Sequence, residues 1–137
     1  MVVIDNEIDS RVLNSIPQTQ ETRNTFLLSF LSQFLGETFH NDDMNVDVYI
    51  SRDSIVETAH HASKSESSTI AALNMPNVIA KAAKTNTDIP KNNSQKRRFR
   101  FSEMYELHVQ MRYVGDIKLM IGRQGRRNYV EYCITAQ

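Results

Sequence analysis

The stretch "EMYELHVQMRY", residues 103–113, alternates apolar and polar side chains without a break. Tyr105, Leu107, Val109, Met111 and Tyr113 share one side of an extended chain. Glu106, His108, Gln110 and Arg112 share the other. A period of two over this length marks a half-buried antiparallel strand. Outward from it, "VGD" (114–116) supplies a turn at Gly115 and "IKLMIG" (117–122) alternates again. "RQGRR" (123–127) turns at Gly125, and "NYVEYCITA" (128–136) reads as a third strand. Two hairpins in succession make a three-stranded meander. Continued alternation puts Ile117, Leu119, Ile121, Val130, Tyr132 and Ile134 on the core face. Lys118, Met120, Tyr129, Glu131, Cys133 and Thr135 join Glu106 and His108 on the open face. Helices must cover the core face.

Those helices come earlier in the chain. Phe26, Leu27, Phe30, Leu31, Phe34 and Leu35 form a doubled i, i+4, i+8 stripe, an amphipathic helix with Gly36 as its C-terminal cap. The stripe suits the core, and part of it suits a second copy of the chain, so a homodimer through residues 26–35 is a candidate assembly. "HNDDMN" (40–45) reads as a turn and "VDVYI" (46–50) as a short strand. A helix follows near 53–63, capped by Ser51 or Asp53. "SESS" (65–68) reads as a breaker, a second helix starts near Pro76 and runs over 77–84, and 85–95 reads as a polar loop. The expected fold is α+β. One domain spans 1–137, with N-terminal helices packed on one face of an antiparallel sheet of about four strands. Residues 1–42 form an N-terminal helical extension and 43–137 the core.

The 137 residues, 40% of them hydrophobic, suffice for one core. The apolar run at 26–36 is shorter than the ~20 residues that cross a bilayer, and "MVVIDNEIDS" lacks the pattern of a signal peptide. A membrane partner is not expected. The lone Cys133 excludes an intramolecular disulfide and a cysteine-based zinc site, and it suits a reducing, cytoplasmic setting. Net charge is zero yet unevenly spread: residues 1–57 carry a net −7 and residues 91–127 a net +7. Either the basic part meets an anionic partner or the two parts neutralise each other. No G-x-G-x-x-G, Walker loop or paired C-x-x-C occurs, so no nucleotide cofactor is expected.

Four groups of residues carry candidate chemistry. In "ETAHHASK" (57–64), His60 and His61 point about 100° apart on a helix and cannot share a metal, whereas ligating pairs sit at i, i+4. No metal site is expected. Glu57, His61 and Lys64 do align, at i, i+4 and i+7, so Glu57 can orient His61. On the strand face, Glu106, His108 and Arg112 neighbour Lys118 and Tyr129. General acid–base chemistry needs a base, an acid and a cation for the charge that develops. These side chains can supply all three. The competing reading of both sets is a solvated polar face. In "KRRFRF" (96–101), Arg97, Arg98 and Arg100 suit phosphates while the phenylalanines suit bases or the core. In "GRQGRR" (122–127), Arg123, Arg126 and Arg127 stand at a hairpin tip.

The order of elements from residue 43 onward, with "VDVYISRDSIVETAHHASKS", "IAALNMPNVIAKAAKTNT", a basic loop and the meander, resembles the phage-associated nuclease-like domains of the barnase–EndoU–colicin–RelE group, which also occur inside large polyvalent phage proteins. The resemblance covers about 43–137 and rests on short motifs. It implies helices on one face of an antiparallel sheet and a metal-independent RNase of toxin type, acting in the cytoplasm of a bacterial or phage-infected cell. His60 or His61 and Lys64 match the group's helical polar residues; Glu106, His108 and Arg112 match in character. Implied partners are RNA or another nucleic acid, and a protein inhibitor. The alternative is a phage-encoded module, not an enzyme, that binds nucleic acid or inhibits a host protein. The third class is a structural accessory segment of a larger phage protein.

Overall fold

A computed structural model of the chain describes residues 2–88 and 101–136. Arg97, Arg98 and Arg100 lie outside the described residues. The alternating stretch forms β5 (Glu103–Met111), followed by β6 (Gly115–Gln124) and β7 (Arg127–Thr135). They pair antiparallel, with Leu107 opposite Leu119 and His108 opposite Lys118. Gly115 and Gly125 take φ of +117° and +62° at the two turns, a region open to glycine at no steric cost. Strand β5 stops at Met111, so Tyr113 stands in the turn, 94% exposed with φ +66°, rather than on the core face.

The sheet is larger than expected and it is mixed. Strands β1 (Val3–Ile4), β2 (Thr38–Asn41), β3 (Val46–Tyr49) and β4 (Ala83–Asp88) join it in the order β1-β5-β6-β7-β3-β2, with β4 also paired to β5. Strand β1 runs parallel to β5 and β3 parallel to β7. A purely antiparallel sheet of about four strands is therefore corrected to a mixed one, of seven strands among the described residues. The extra strands gave little signal because β1 has two residues and β4, "AKTNTD", is a polar edge. Residues assigned to an N-terminal extension thus contribute β1 and β2 to the common sheet, and Leu13, Leu27 and Leu31 to the common core.

Helices α1 (Gln20–Leu31), α2 (Arg52–Ala62), α3 (Glu66–Leu73) and α4 (Met75–Lys81) complete the fold. Thr19 caps α1 through the Thr22 amide, and Ser51 and Ser54 close a reciprocal capping box on α2. Helix α2 ends at Ala62, as the breaker reading expects, and Ser65 accepts the Ser68 amide, so "SESS" also begins a further helix, α3. From Ser68 to Leu73 every residue of α3 is buried, which removes the amphipathic stripe that would reveal it. The rings of Phe26, Phe30, Phe34 and Phe39 form a ladder with centroids 6.3, 6.1 and 5.8 Å apart. That ladder packs against the chain's own core.

Two details of β7 shape the open side of the sheet. Ile121 pairs with Val130 but Met120 pairs with Tyr132, so Glu131 is the extra residue of a bulge. Past it the alternation reverses. Cys133 and Thr135 point into the core, while Tyr132 and Ile134 take the other face, the opposite of the sequence expectation. Further, β3 pairs with β7 only at Val48–Asn128 and Tyr49–Tyr129. Beyond that point α2 and α3 cover the edge of β7 with side chains. Ser54 Oγ donates to the Val130 carbonyl at 2.5 Å, and the Thr135 amide donates to Ser68 Oγ at 3.1 Å. These bonds satisfy backbone groups that a neighbouring strand would otherwise pair.

Candidate functional site

The edge position of α2 decides the site. A helix centred on the core face would aim its polar side away from the open face. At the edge of β7 it carries His61 around to that face, where the imidazole lies 5.0 Å from the Tyr132 ring, centroid to centroid. Lys118 from β6 reaches the same ring, with Nζ 5.6 Å from its centroid. The bulge at Glu131 is what turns Tyr132 outward to meet them. A cleft of about 580 Å³ opens here, and its walls include His61, Lys64, Glu106, His108 and Lys118. Helix polar set and strand polar set therefore line one cleft.

Within it, the two histidines are held differently. Glu57 Oε2 stands 3.4 Å from His61 Nε2, one helical turn away, the alignment read from the sequence. His108 is clamped at both ring nitrogens. Nε2 lies 2.6 Å from Glu106 Oε2 and Nδ1 lies 2.9 Å from Asp116 Oδ2. Both nitrogens can satisfy carboxylates only by donating, which makes the ring an imidazolium. Burial pushes the His108 pKa down, but the bonds to Glu106 and Asp116 outweigh it and hold it above the ordinary value. His108 thus holds Glu106 in place, and the two carboxylates favour its charged form. Asp116, its second partner, escaped the sequence reading because it stands in a turn motif, diagonal to His108 across β5 and β6.

The clamp has a pH signature. A raised folded-state pKa adds stability that is fully present below the unfolded value of about 6.5. It is lost as pH rises through the raised folded value. Wild type should therefore lose stability relative to His108→Gln as pH climbs from about 6.5, in paired urea titrations. A pH-independent difference would remove the ion pair.

Other expected site residues fall elsewhere. His60 is exposed on α2 and meets the site only through His61, ring centroids 5.2 Å apart. Arg112 lies past the end of β5. Its amide bonds to the Ile4 carbonyl and its Nε donates to Asp5 Oδ1 at 2.8 Å, so β1 draws it away from the cleft. Arg123, Arg126 and Arg127 are exposed at the β6–β7 hairpin, and Tyr129 lies half-buried beside it. Cys133 is fully buried, and burial pushes its thiol up to about 12, which leaves it a packing residue. Among the described residues no three of His, Cys, Asp and Glu are grouped to hold a metal ion, and no helix is long and apolar enough to cross a membrane. No family model, curated protein or solved structure matches the chain.

Proposed function

We propose that the cleft binds a phosphodiester of single-stranded RNA and cleaves it by general acid–base chemistry without metal. One observation carries this reading: His61, Lys64, Glu106, His108 and Lys118 line the same cleft. Glu106, its Oε2 held by His108, takes the proton of the 2′-hydroxyl, whose oxygen then attacks phosphorus. His61, oriented by Glu57, gives a proton to the departing 5′-oxygen. The P–O5′ bond breaks and a 2′,3′-cyclic phosphate forms. Lys64 and Lys118 offset the charge that gathers on the phosphorane. The resemblance of residues 43–137 to a group of metal-independent RNases implies the same chemistry.

Binding without turnover is the second reading, favoured by the carboxylates on both nitrogens of His108. They take one expected acid–base group out of proton transfer. The test is incubation of the purified chain with a fluorescent oligoribonucleotide in EDTA. The proposal expects shorter products ending in cyclic phosphate, and no cleavage where a 2′-deoxynucleotide precedes the scissile bond. An oligomer bound but left intact would replace the enzyme with a binding module.

A further inference from the structure

A second cavity opens on the same face of the sheet as the cleft. Its volume is about 640 Å³, its walls include Thr38, Tyr49, Arg126, Arg127 and Asn128, and it lies at the β6–β7 hairpin. The Arg127 guanidinium carbon lies 4.9 Å from the centre of the Tyr49 ring. Tyr129 meets Tyr49 edge-on, with centroids 5.4 Å apart and planes 86° apart. Phe101 continues the row, 6.5 Å from Tyr129, and covers Gly122, where a Cβ would come within 2.6 Å of its ring. Tyr49 is the residue the sequence did not mark, because "VDVYI" gives no hint that the strand lies beside β7.

We propose that Tyr49, Arg127 and Tyr129 form a nucleobase-stacking subsite for the single-stranded RNA that enters the cleft. The proposal rests on the reading of the cleft as an RNA site and adds where the strand runs. The strand registers show that the two places share one surface. Tyr49 pairs with Tyr129, Tyr129 with Gly122, Met120 with Tyr132 and Glu106, and Lys118 with His108. From Gly122 to Lys118 is four residues, about 13 Å along the strand. That is about two to four nucleotides, at ~3.4 Å each when stacked and more when extended. A planar guanidinium backed by an aromatic ring offers its other face to a base. The charge also fits. Among the described residues Arg126 and Arg127 make no ion pair, whereas Arg123 is 3.7 Å from Glu103. Two cations and an aromatic row suit a polyanion carrying flat bases, the Asp47 carboxylate in the same wall being held by His40 at 2.9 Å, and stacking tolerates any base sequence.

The probe is a fluorescent ten-nucleotide RNA with every 2′-hydroxyl methylated, so that binding is read without cleavage. Stacking is worth about 1–3 kcal/mol per base. Tyr49→Ala is therefore expected to weaken binding by about 5- to 150-fold while the slope of log affinity against log salt stays as in wild type. Arg127→Ala should lose affinity and also flatten that slope by about 0.7, the share of one phosphate contact on a single strand. Arg127→Lys should keep the slope and still lose the stacking part. Because Arg127 is exposed, its variants report even if Tyr49→Ala fails to fold. Wild-type affinity in both Arg127 variants would overturn the subsite. So would loss of RNA binding only in cleft variants, or capture of a protein rather than RNA through Arg127. Failure is separable from that of the proposed activity. A protein that binds the probe through Arg127 yet leaves unmodified RNA intact keeps the subsite and sinks the enzyme; one that cleaves RNA with no dependence on Arg127 does the reverse.

Discussion

Glu106→Gln is expected to slow turnover of a short oligoribonucleotide by about 10²–10⁴-fold, the range for loss of a positioned general base. Glutamine keeps the shape of the side chain and still offers an oxygen to the His108 N–H. The clamp on β5 and β6 survives, so the melting temperature should barely move. What disappears is a carboxylate able to accept the proton of the 2′-hydroxyl. Such a loss acts in the transition state, so kcat and kcat/KM should fall together. His61→Ala should fall in the same range, and the double variant little below the worse single one, because base and acid act as a unit. Unchanged turnover in Glu106→Gln would end its role as base. Full activity in His61→Ala would end the composite site.

The meander was legible because its signal is local. From Tyr105 to Ile121 each strand has one wet face, and a period of two needs nothing from the rest of the chain. The same rule failed at Glu131. One extra residue reversed the faces of Tyr132, Cys133, Ile134 and Thr135, and no residue type announces a bulge. Its consequence lies in the cleft, because the turned Tyr132 is the surface on which His61 and Lys118 converge. The members of the cleft were legible for the same reason as the strands, and so was the condition for their meeting, a helix at an edge or end of the sheet; the edge itself was not. It depends on β3 leaving β7 after two residue pairs, so that α2 lies along a sheet edge. That pairing is parallel and non-local, between residues about 80 apart in the chain. Arg112 shows the opposite error. Alternation put it on the polar face, but the strand had ended, and Asp5, just past the two-residue strand β1, became its partner.

Asn41→Ala is expected to cost about 3 kcal/mol of folding stability, although the residue is distant from the cleft. Asn41 is fully buried at the end of β2, and its amide serves three backbone groups. Nδ2 donates to the carbonyls of Ile79 and Ala82 at 2.8 Å each, and Oδ1 accepts the Met44 amide at 2.7 Å. It thus closes the C-terminal end of α4, where helix carbonyls lack partners. It also fixes the turn that leads into β3. Alanine removes all three bonds at a position with no exposed surface, where only a trapped water can replace any of them. Each buried group left unsatisfied costs about 1–3 kcal/mol, partly recovered as the surroundings relax. A shift of that size lowers the melting temperature by roughly 10 °C in a domain of this length. Asn41→Asp should be at least as damaging at neutral pH, because it replaces the donor with a buried charge facing two carbonyls. Urea unfolding of the three proteins measures this directly. A loss below about 1 kcal/mol in the alanine variant would show that the three backbone groups find other partners, and that α4 is anchored by its apolar contacts through Val78 and Ile79 instead.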